Sequence, residues 1–379
     1  MNRSDIIKNA KRIVVKIGTG TITGSSGRID NTKIENIAND ISSVINKGKE
    51  VLLVTSGAIA SGTEKLKLKS KQASLPLKQA AAAVGQNLLM HIYEEVFSKH
   101  GFSIAQILLT QDDFRNRARF INARNTIYTL LKYRVIPIIN ENDTVSVEEI
   151  KFGDNDNLSF LVSNLVEADL LIILSDVDGL HTADPRKHEG KLITEVKHIT
   201  DEIESVSCSS TSKFGIGGMQ TKISAAKRAV RLGIGVIIAN GTRKNILTDI
   251  INCKETGTFF FPQKTDKIKQ KKKWIAFTLV SKGKIFIDEG AKEAITKKGK
   301  SLLSSGIVGV EGEFEFGDAI SIYDKDMREI ARGLVNYNSS DIEKIKGKKS
   351  LEIESILGYK DYDEVIHRDN LVIIKEGDN

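Results

Sequence analysis

The sequence predicts an α/β protein: an open, mostly parallel sheet sandwiched by helices, followed by a small β-rich domain. Three features lead there. From residue 12 to about residue 240, six short runs rich in Ile, Val and Leu alternate with longer amphipathic stretches. The runs lack the every-other-residue polarity of a half-exposed strand, as expected for strands buried on both faces. Beyond Phe261 the pattern breaks at Pro262 and a lysine run, and the segments become short, alternating and punctuated by glycine. A chain of 379 residues holds two domains at ~100–200 residues each. The expected division is a first domain at 1–262, a basic linker at 263–273 and a second domain at 274–379.

The first expected strand is Arg12–Ile17. Asp30 and Asn31 then offer a cap, Ile34, Ile37, Ile41, Val44 and Ile45 recur three and four apart, and Gly48 ends the pattern; this is an amphipathic helix. Further strands are expected at Glu50–Thr55, Ser103–Leu109, Arg134–Ile139, Asp169–Leu174 and Ile234–Ala239. Helices fall between them at Leu75–Phe97, Ile121–Lys132, Asn157–Val166 and Thr221–Leu232. Repeated alternation of strand and helix gives a sheet with helices on its faces. In the second domain, strands are expected at Lys284–Asp288, Gly306–Val310, Ala319–Tyr323, Glu329–Leu334 and Val372–Lys375, with one helix at Ala291–Lys298.

Composition excludes several classes of protein. Hydrophobic residues make up 40% and charged residues 28%, so the chain is neither disordered nor fibrous. No apolar run approaches the ~20 residues of a membrane-spanning helix. Residues 1–11 lack an apolar core and a small-residue cleavage site, so no secretory signal is expected. Cys208 and Cys253 cannot staple a domain, which fits a reducing cytoplasm, the expected location. The six histidines are scattered and none shares zinc-ligand spacing with a cysteine. The net charge of +7 is local: between Gln263 and Lys284 eight lysines face Asp266 alone, and the rest of the chain holds 48 basic and 48 acidic residues. One short segment, not the whole surface, would attract a polyanion.

Ligands of an open parallel sheet bind beyond the carboxyl ends of its strands. After the first strand comes Lys16-Ile-Gly18-Thr-Gly20-Thr-Ile-Thr-Gly24, which fits neither a dinucleotide fingerprint nor a P-loop, because its lysine precedes its glycines. It is either a phosphate-binding loop with a point charge beside it or a turn with a solvated lysine. The second strand ends in Thr55-Ser56-Gly57-Ala58-Ile59-Ala60-Ser61-Gly62, small residues that suit anion binding at a helix N-terminus or tight helix packing. Asn140-Glu141-Asn142-Asp143 and Gly153-Asp154-Asn155-Asp156-Asn157 carry the donors and acceptors a zwitterion needs, although some of them would cap the next helix. Leu158 and Leu165 stand where a calcium-binding loop needs glycine and glutamate, so an EF-hand is excluded. Ser175-Asp176 follows the fifth strand, and Gly215-Ile216-Gly217-Gly218-Met219-Gln220-Thr221-Lys222 opens a later helix. Two glycine-rich loops, each with a lysine, suit a phosphoryl group in transfer, whose spread charge needs fixed positive partners.

Taken together, Val15-Lys16-Ile-Gly-Thr, Val54-Thr-Ser-Gly-Ala-Ile-Ala-Ser-Gly62, Asn140-Glu-Asn-Asp143, Gly153-Asp-Asn-Asp-Asn157 and Gly217-Gly-Met-Gln-Thr-Lys222 resemble the motifs of the glutamate 5-kinases, in the amino-acid kinase superfamily. Asp288-Glu-Gly-Ala291, Ser301-Leu-Leu303 with Gly306-Ile307, and Gly312-Glu-Phe-Glu-Phe-Gly-Asp318 resemble the PUA module that family often carries. The resemblance runs nearly end to end. It implies the amino-acid kinase fold and the reaction of ATP with L-glutamate to give ADP and γ-glutamyl phosphate, the first step of proline synthesis. It casts Lys16 and Lys222 as phosphate-binding catalytic residues and Asp156 as the group that holds them. Ser56, Asp143 and Asn155 would grip glutamate. Lys16, Gly18, Ser175, Asp176 and the run Ile216, Gly217, Gly218, Met219, Gln220, Thr221 and Lys222 would take the nucleotide. Mg²⁺ would ride on ATP, with no dedicated metal ligands in the chain.

Three positions depart from the family pattern: Gly20 for serine, Ser175 for threonine and Ile216 for threonine. The last leaves a backbone contact to nucleotide possible and a side-chain contact in doubt. The family also implies feedback inhibition by proline, a homo-oligomer, and a γ-glutamyl phosphate reductase as a possible partner. Kinases of the same fold acting on acetylglutamate, aspartate, carbamate or uridylate are the nearest rivals; an acetylated amine would not need the anion that Asp143 supplies. RNA binding through the PUA-like domain and lysine run is the rival of another class. Salt-dependent binding to heparin or tRNA separates it.

Overall fold

The six apolar runs become the spine of one eight-stranded sheet in the computed structural model, which describes residues 2–24, 27–68, 74–145, 155–183, 190–208, 218–263 and 280–374. The linker beyond Gln263, Trp274, Gly153 and Asp154 lie outside the described residues. The chain divides into two units, Met1–Thr265 and Asp266–Asn379.

In the first unit the strands are β1 (Arg12–Ile17), β2 (Glu50–Val54), β3 (Ile104–Leu109), β4 (Ile136–Glu141), β5 (Leu170–Ser175), β6 (Glu195–Val196), β7 (Gly235–Asn240) and β8 (Thr258–Phe260). Their order is β3-β4-β2-β1-β5-β7-β8-β6. The pairs from β3 through β7 are parallel, and β8 turns antiparallel to β7. The short strands β6 and β8 had no counterpart in the sequence pattern. Successive strands run outward from β1 on one side, through β2 and β4, and resume with β5 on the other. That reversal opens a crevice at the carboxyl ends of the central strands.

The helices of this unit are α1 (Arg3–Asn9), α2 (Thr19–Ile22), α3 (Asn31–Asn46), α4 (Ala58–Lys65), α5 (Leu75–Ser98), α6 (Gln111–Arg115), α7 (Arg117–Lys132), α8 (Asn155–Leu165), α9 (Asp201–Cys208), α10 (Met219–Arg231) and α11 (Ile246–Ile251). Asp30 caps α3 by accepting from the N–H groups of Thr32 and Lys33, as its position before the apolar pattern requires. Ile13, Val15 and Ile17 of β1 join Val51, Leu53, Leu170 and Ile172 in one core with Ile34 and Ile41 of α3 and Leu89, Tyr93 and Phe97 of α5. Val14, Leu52, Leu171 and Ile173 alternate with these and are buried as well, on the other face, where α8 packs on β1, β2, β4 and β5, and α10 packs on α8 and β7. The period of two therefore aims Lys16 at the α8 face.

Helices α4 and α5 touch backbone to backbone. A Cβ on Gly62 would lie 1.7 Å from the Ala81 carbonyl oxygen, and one on Gly85 would lie 1.8 Å from that of Ala58. Of the two sequence readings of the small-residue run, tight packing accounts for Gly62.

The second unit holds β9 (Lys284–Ile287), β10 (Ile307–Glu311), β11 (Ala319–Tyr323), β12 (Glu329–Leu334) and β13 (Leu371–Ile373), in the order β10-β9-β11-β12-β13. Its helices are α12 (Glu289–Thr296), α13 (Ser339–Ile345) and α14 (Ile353–Leu357). The expectation of one helix is thus corrected. Asn338 caps α13 by accepting from the Asp341 N–H, and Gly358, at φ 81°, ends α14. Ile285, Ile287, Ile320 and Ile322 of the sheet and Ile342, Ile345 and Ile353 of these helices share one core. No described helix is long and apolar enough to cross a membrane.

Candidate active site

Lys16 is buried, 5% exposed, near the end of β1, so the reading of a solvated turn lysine is corrected. Its Nζ lies 2.5 Å from Oδ1 of Asp156, which stands in the first turn of α8 with no exposure at all. The other carboxylate oxygen receives Lys222, 6% exposed, whose Nζ is 3.1 Å away. Lys222 belongs to the first two turns of α10, which Gly218 begins as N-cap. Thr221, from the same turn, places its Oγ1 2.9 Å from Asp156 Oδ2 and 2.8 Å from the Gly218 carbonyl. Lys16 of β1 and Lys222 of α10 thus share one carboxylate of α8, all three buried. Bringing them there costs desolvation that their mutual attraction offsets only in close geometry. Two ammonium groups on one carboxylate suit an anionic ligand.

Two further contacts hold α8 against α10. The Arg228 guanidinium bonds Oδ1 of Asn157 and lies 4.2 Å over the ring of Phe160. Asn157, read from the sequence as part of a polar cluster, is thereby occupied with a helix neighbour.

On one side of the lysines the amides gather. Asn155, in the first turn of α8, donates Nδ2–H to Ser56 Oγ at 2.8 Å and lies 3.4 Å from Asn140 Oδ1. Asn140 and Glu141 are the last residues of β4 and buried, not loop residues beyond it as the strand expected at Arg134–Ile139 implied. Asn140 Nδ2 donates to Oε1 of Gln86 at 2.9 Å, and its Oδ1 accepts from the Glu141 N–H at 3.0 Å. Ser56 follows β2, and Gly57 at φ 104° starts α4 in a conformation that disfavours any side chain. Just before Ser56, Thr55 Oγ1 lies 2.8 Å from the hydroxyl of Tyr93, whose pKa burial pushes up to about 12. Asp143 stands two residues beyond β4; burial pushes its carboxyl up to about 6. Among the described residues it has no hydrogen-bond or ion-pair partner. A partly buried carboxylate with no partner among the described residues is a place for a cation.

On the other side, Ser175 ends β5 and donates to Asp176 Oδ1 at 3.1 Å. A Cβ on Gly20 would lie 3.7 Å from that of Asp176, an ordinary contact, so a serine would fit there too. The Gly18 N–H donates to the Leu174 carbonyl at 3.2 Å, and a Cβ on Gly18 would stand 3.8 Å from Lys16 Nζ. Gly218, Met219, Gln220, Thr221 and Lys222 follow one another from the α10 cap; Ile216 and Gly217 lie outside the described residues. The structure therefore brings Lys16, Asp156 and Lys222 together, and Ser56 with Asn155. Sequence reasoning missed Gln86, Tyr93, Arg228 and Asn240, whose Nδ2 bonds Asp178 Oδ1 at 3.1 Å beside Ser175. Gln86 alone left a trace, as an amide on the otherwise apolar stripe Ala82, Leu89, Tyr93 and Phe97.

Two buried lysines share one buried carboxylate at the strand ends of an open α/β sheet, an arrangement of fixed charge that suits the class of enzymes that transfer phosphoryl groups. The amino acid kinase family matches residues 11–240, and the PUA domain family matches residues 283–357. The glutamate 5-kinase of a Thermoanaerobacter species is 52% identical over 368 residues, 97% of this chain and 99% of its own. That of Syntrophus aciditrophicus is 48% identical over 375 residues, covering 99% and 97%. That of Geobacter sulfurreducens is 48% identical over 373 residues, covering 98% and 100%. The chain belongs to the amino acid kinase family, in its glutamate 5-kinase branch, with a PUA domain at its C-terminal side.

Proposed function

We propose that this enzyme transfers the γ-phosphoryl group of ATP to the γ-carboxylate of L-glutamate, giving ADP and γ-glutamyl phosphate for proline synthesis. One observation carries the reading: the Lys16–Asp156–Lys222 cluster lies between an amide-rich end and a second polar end at β5 and α10. The attacking γ-carboxylate is ionised at neutral pH, so no group need remove a proton from it. Catalysis then rests on position and charge. Lys16 and Lys222 meet the oxygens of the moving phosphoryl group, whose negative charge they offset without rearrangement of water. Asp156 keeps both ammoniums in place between turnovers and lowers the cost of burying them.

At the amino-acid end, Ser56 and Asn155 take the glutamate backbone groups and Asp143 its ammonium. Gly18, Ser175, Asp176 and the start of α10, with Ile216 and Gly217 before it, take the nucleotide. Asp156 is committed to two lysines and a threonine hydroxyl, so it is poorly suited to a metal; Mg²⁺ comes with the phosphates of ATP and supplies further positive charge there. Proline, also a zwitterion with carboxylate and ammonium, suits the same amino-acid end as a feedback inhibitor.

Trapping the acyl phosphate with hydroxylamine tests this. Purified protein with Mg-ATP should give hydroxamate with L-glutamate and none with N-acetylglutamate or aspartate. Hydroxamate from the acetylated acid would remove the role given to Asp143. Absence of product from every acid would remove the reaction.

A further inference from the structure

We infer that Gln86 of α5 is a positioning residue for the amino-acid end, anchoring Asn140 from its far side and so holding the Asn155 amide toward its ligand. The inference rests on the reading that Ser56, Asp143 and Asn155 bind the amino acid. Its geometry starts from a group whose polarity is fixed. The Glu141 N–H is a donor, and it points to the Asn140 side-chain oxygen at 3.0 Å. Asn140 must therefore turn its NH₂ the other way, where it meets Gln86 at 2.9 Å, and Gln86 must answer with its oxygen. Asn155, 3.4 Å from the same Asn140 oxygen, must present its NH₂ there and to Ser56, so its own oxygen is left over. That oxygen is buried and has no hydrogen-bond partner among the described residues. It can accept a hydrogen bond from a ligand ammonium and can offer none to a carboxylate.

Gln86 is the far end of this chain of amides. It is 8% exposed on the buried stripe of α5, and the contact of Gly85 with Ala58 seats that turn of the helix against α4. Its Nε2 is buried and has no hydrogen-bond partner among the described residues. For stability alone, leucine would serve about as well: it would forfeit the bond to Asn140 but remove an unpaired buried N–H. What leucine cannot do is accept the hydrogen bond that holds the Asn140 NH₂ in place. Without Gln86 the Asn140 NH₂ loses its acceptor and the Glu141 N–H is left to hold that amide, so Asn140, and the Asn155 amide that bonds it, are held less firmly toward the ligand.

The test uses the full chain with Gln86→Leu and Gln86→Glu, the second keeping an oxygen toward Asn140. Acyl-phosphate formation is followed with L-glutamate and ATP varied separately, alongside thermal unfolding. For Gln86→Leu we expect KM for glutamate to rise about tenfold, the scale of one weakened hydrogen bond to a charged group, with KM for ATP and Tm little changed. Gln86→Glu should recover most of that loss. Should the leucine variant fail to fold, Gln86→Met takes its place with the same expectation. An unchanged KM for glutamate, an equal rise in both KM values, or a glutamate variant no better than the leucine one would overturn the inference. If wild-type protein forms no product from glutamate, the substrate reading falls first, and the inference with it.

Discussion

Replacing Asp143 with asparagine should make the protein more stable and a poorer enzyme. Burial raises the Asp143 carboxyl from 3.8 to about 6, and no described residue offsets its charge. A folded-state pKa above the unfolded one means that the folded protein binds the proton more tightly, so stability increases as pH falls from about 6 toward 4. Above pH 6 the full penalty is present. At ~1.4 kcal/mol for each pH unit, a displacement of about two units withholds up to about 3 kcal/mol at pH 7.5. Asp143→Asn removes that penalty, so urea unfolding at pH 7.5 should show a gain that approaches 3 kcal/mol and disappears near pH 4. The same variant loses the anion for the substrate ammonium. With charged hydrogen bonds worth about 1.5–3 kcal/mol, KM for glutamate should rise about 10- to 100-fold. In the unaltered enzyme, KM for glutamate should climb as pH drops below about 6, because the protonated acid cannot pair with an ammonium. A variant with equal or lower stability at pH 7.5, or with unchanged KM, would refute the reasoning.

Two other expectations concern the charge cluster and the helix pair. Lys222→Ala should lower kcat about 10²–10³-fold in the hydroxamate assay, the scale of losing one preorganised electrostatic partner; an unchanged rate would remove that lysine from the chemistry. Gly85→Ala should prevent stable folding of the first unit, since a Cβ 1.8 Å from the Ala58 oxygen can be accommodated only by separating α4 from α5. Circular dichroism and a melting curve would show it, and a variant with native Tm would mean the helices can part cheaply.

How much of this was legible beforehand varied with the kind of signal. The strands β1, β2, β4, β5 and β7 announce themselves because a strand covered on both faces must be apolar throughout, and Val14, Leu52 and Ile173 satisfy that without help from distant residues. The α3 cap at Asp30 is equally local. Lys16 is the opposite case: nothing near it in sequence shows that it is buried, because the carboxylate that makes burial tolerable arrives from α8, far along the chain. Asn140 and Glu141 looked like loop because polar residues seldom end a buried strand, and here Asn140 meets Gln86 and Asn155 from that end. The strands β6 and β8 are two and three residues long, too short for any periodicity to register. In the second unit, Asn338 and Gly358 did mark the ends of helices, but seven and five residues gave too little apolar pattern between such marks to read.

The backbone contact between α4 and α5 also sets where this enzyme could be re-engineered. Ser56 and Gly57 lead into α4, and Gln86 rides on α5, so both approach the amino-acid end on one welded frame. Sliding either helix to make room for a longer or shorter acid would break the contact at Gly62 and Gly85 before it widened the pocket. Libraries aimed at new substrates should therefore leave Ala58, Gly62, Ala81 and Gly85 untouched and vary side chains beyond the end of β4, beginning with Asn142, whose backbone is bonded to Leu109 of β3 while its side chain bonds the nearby Thr144.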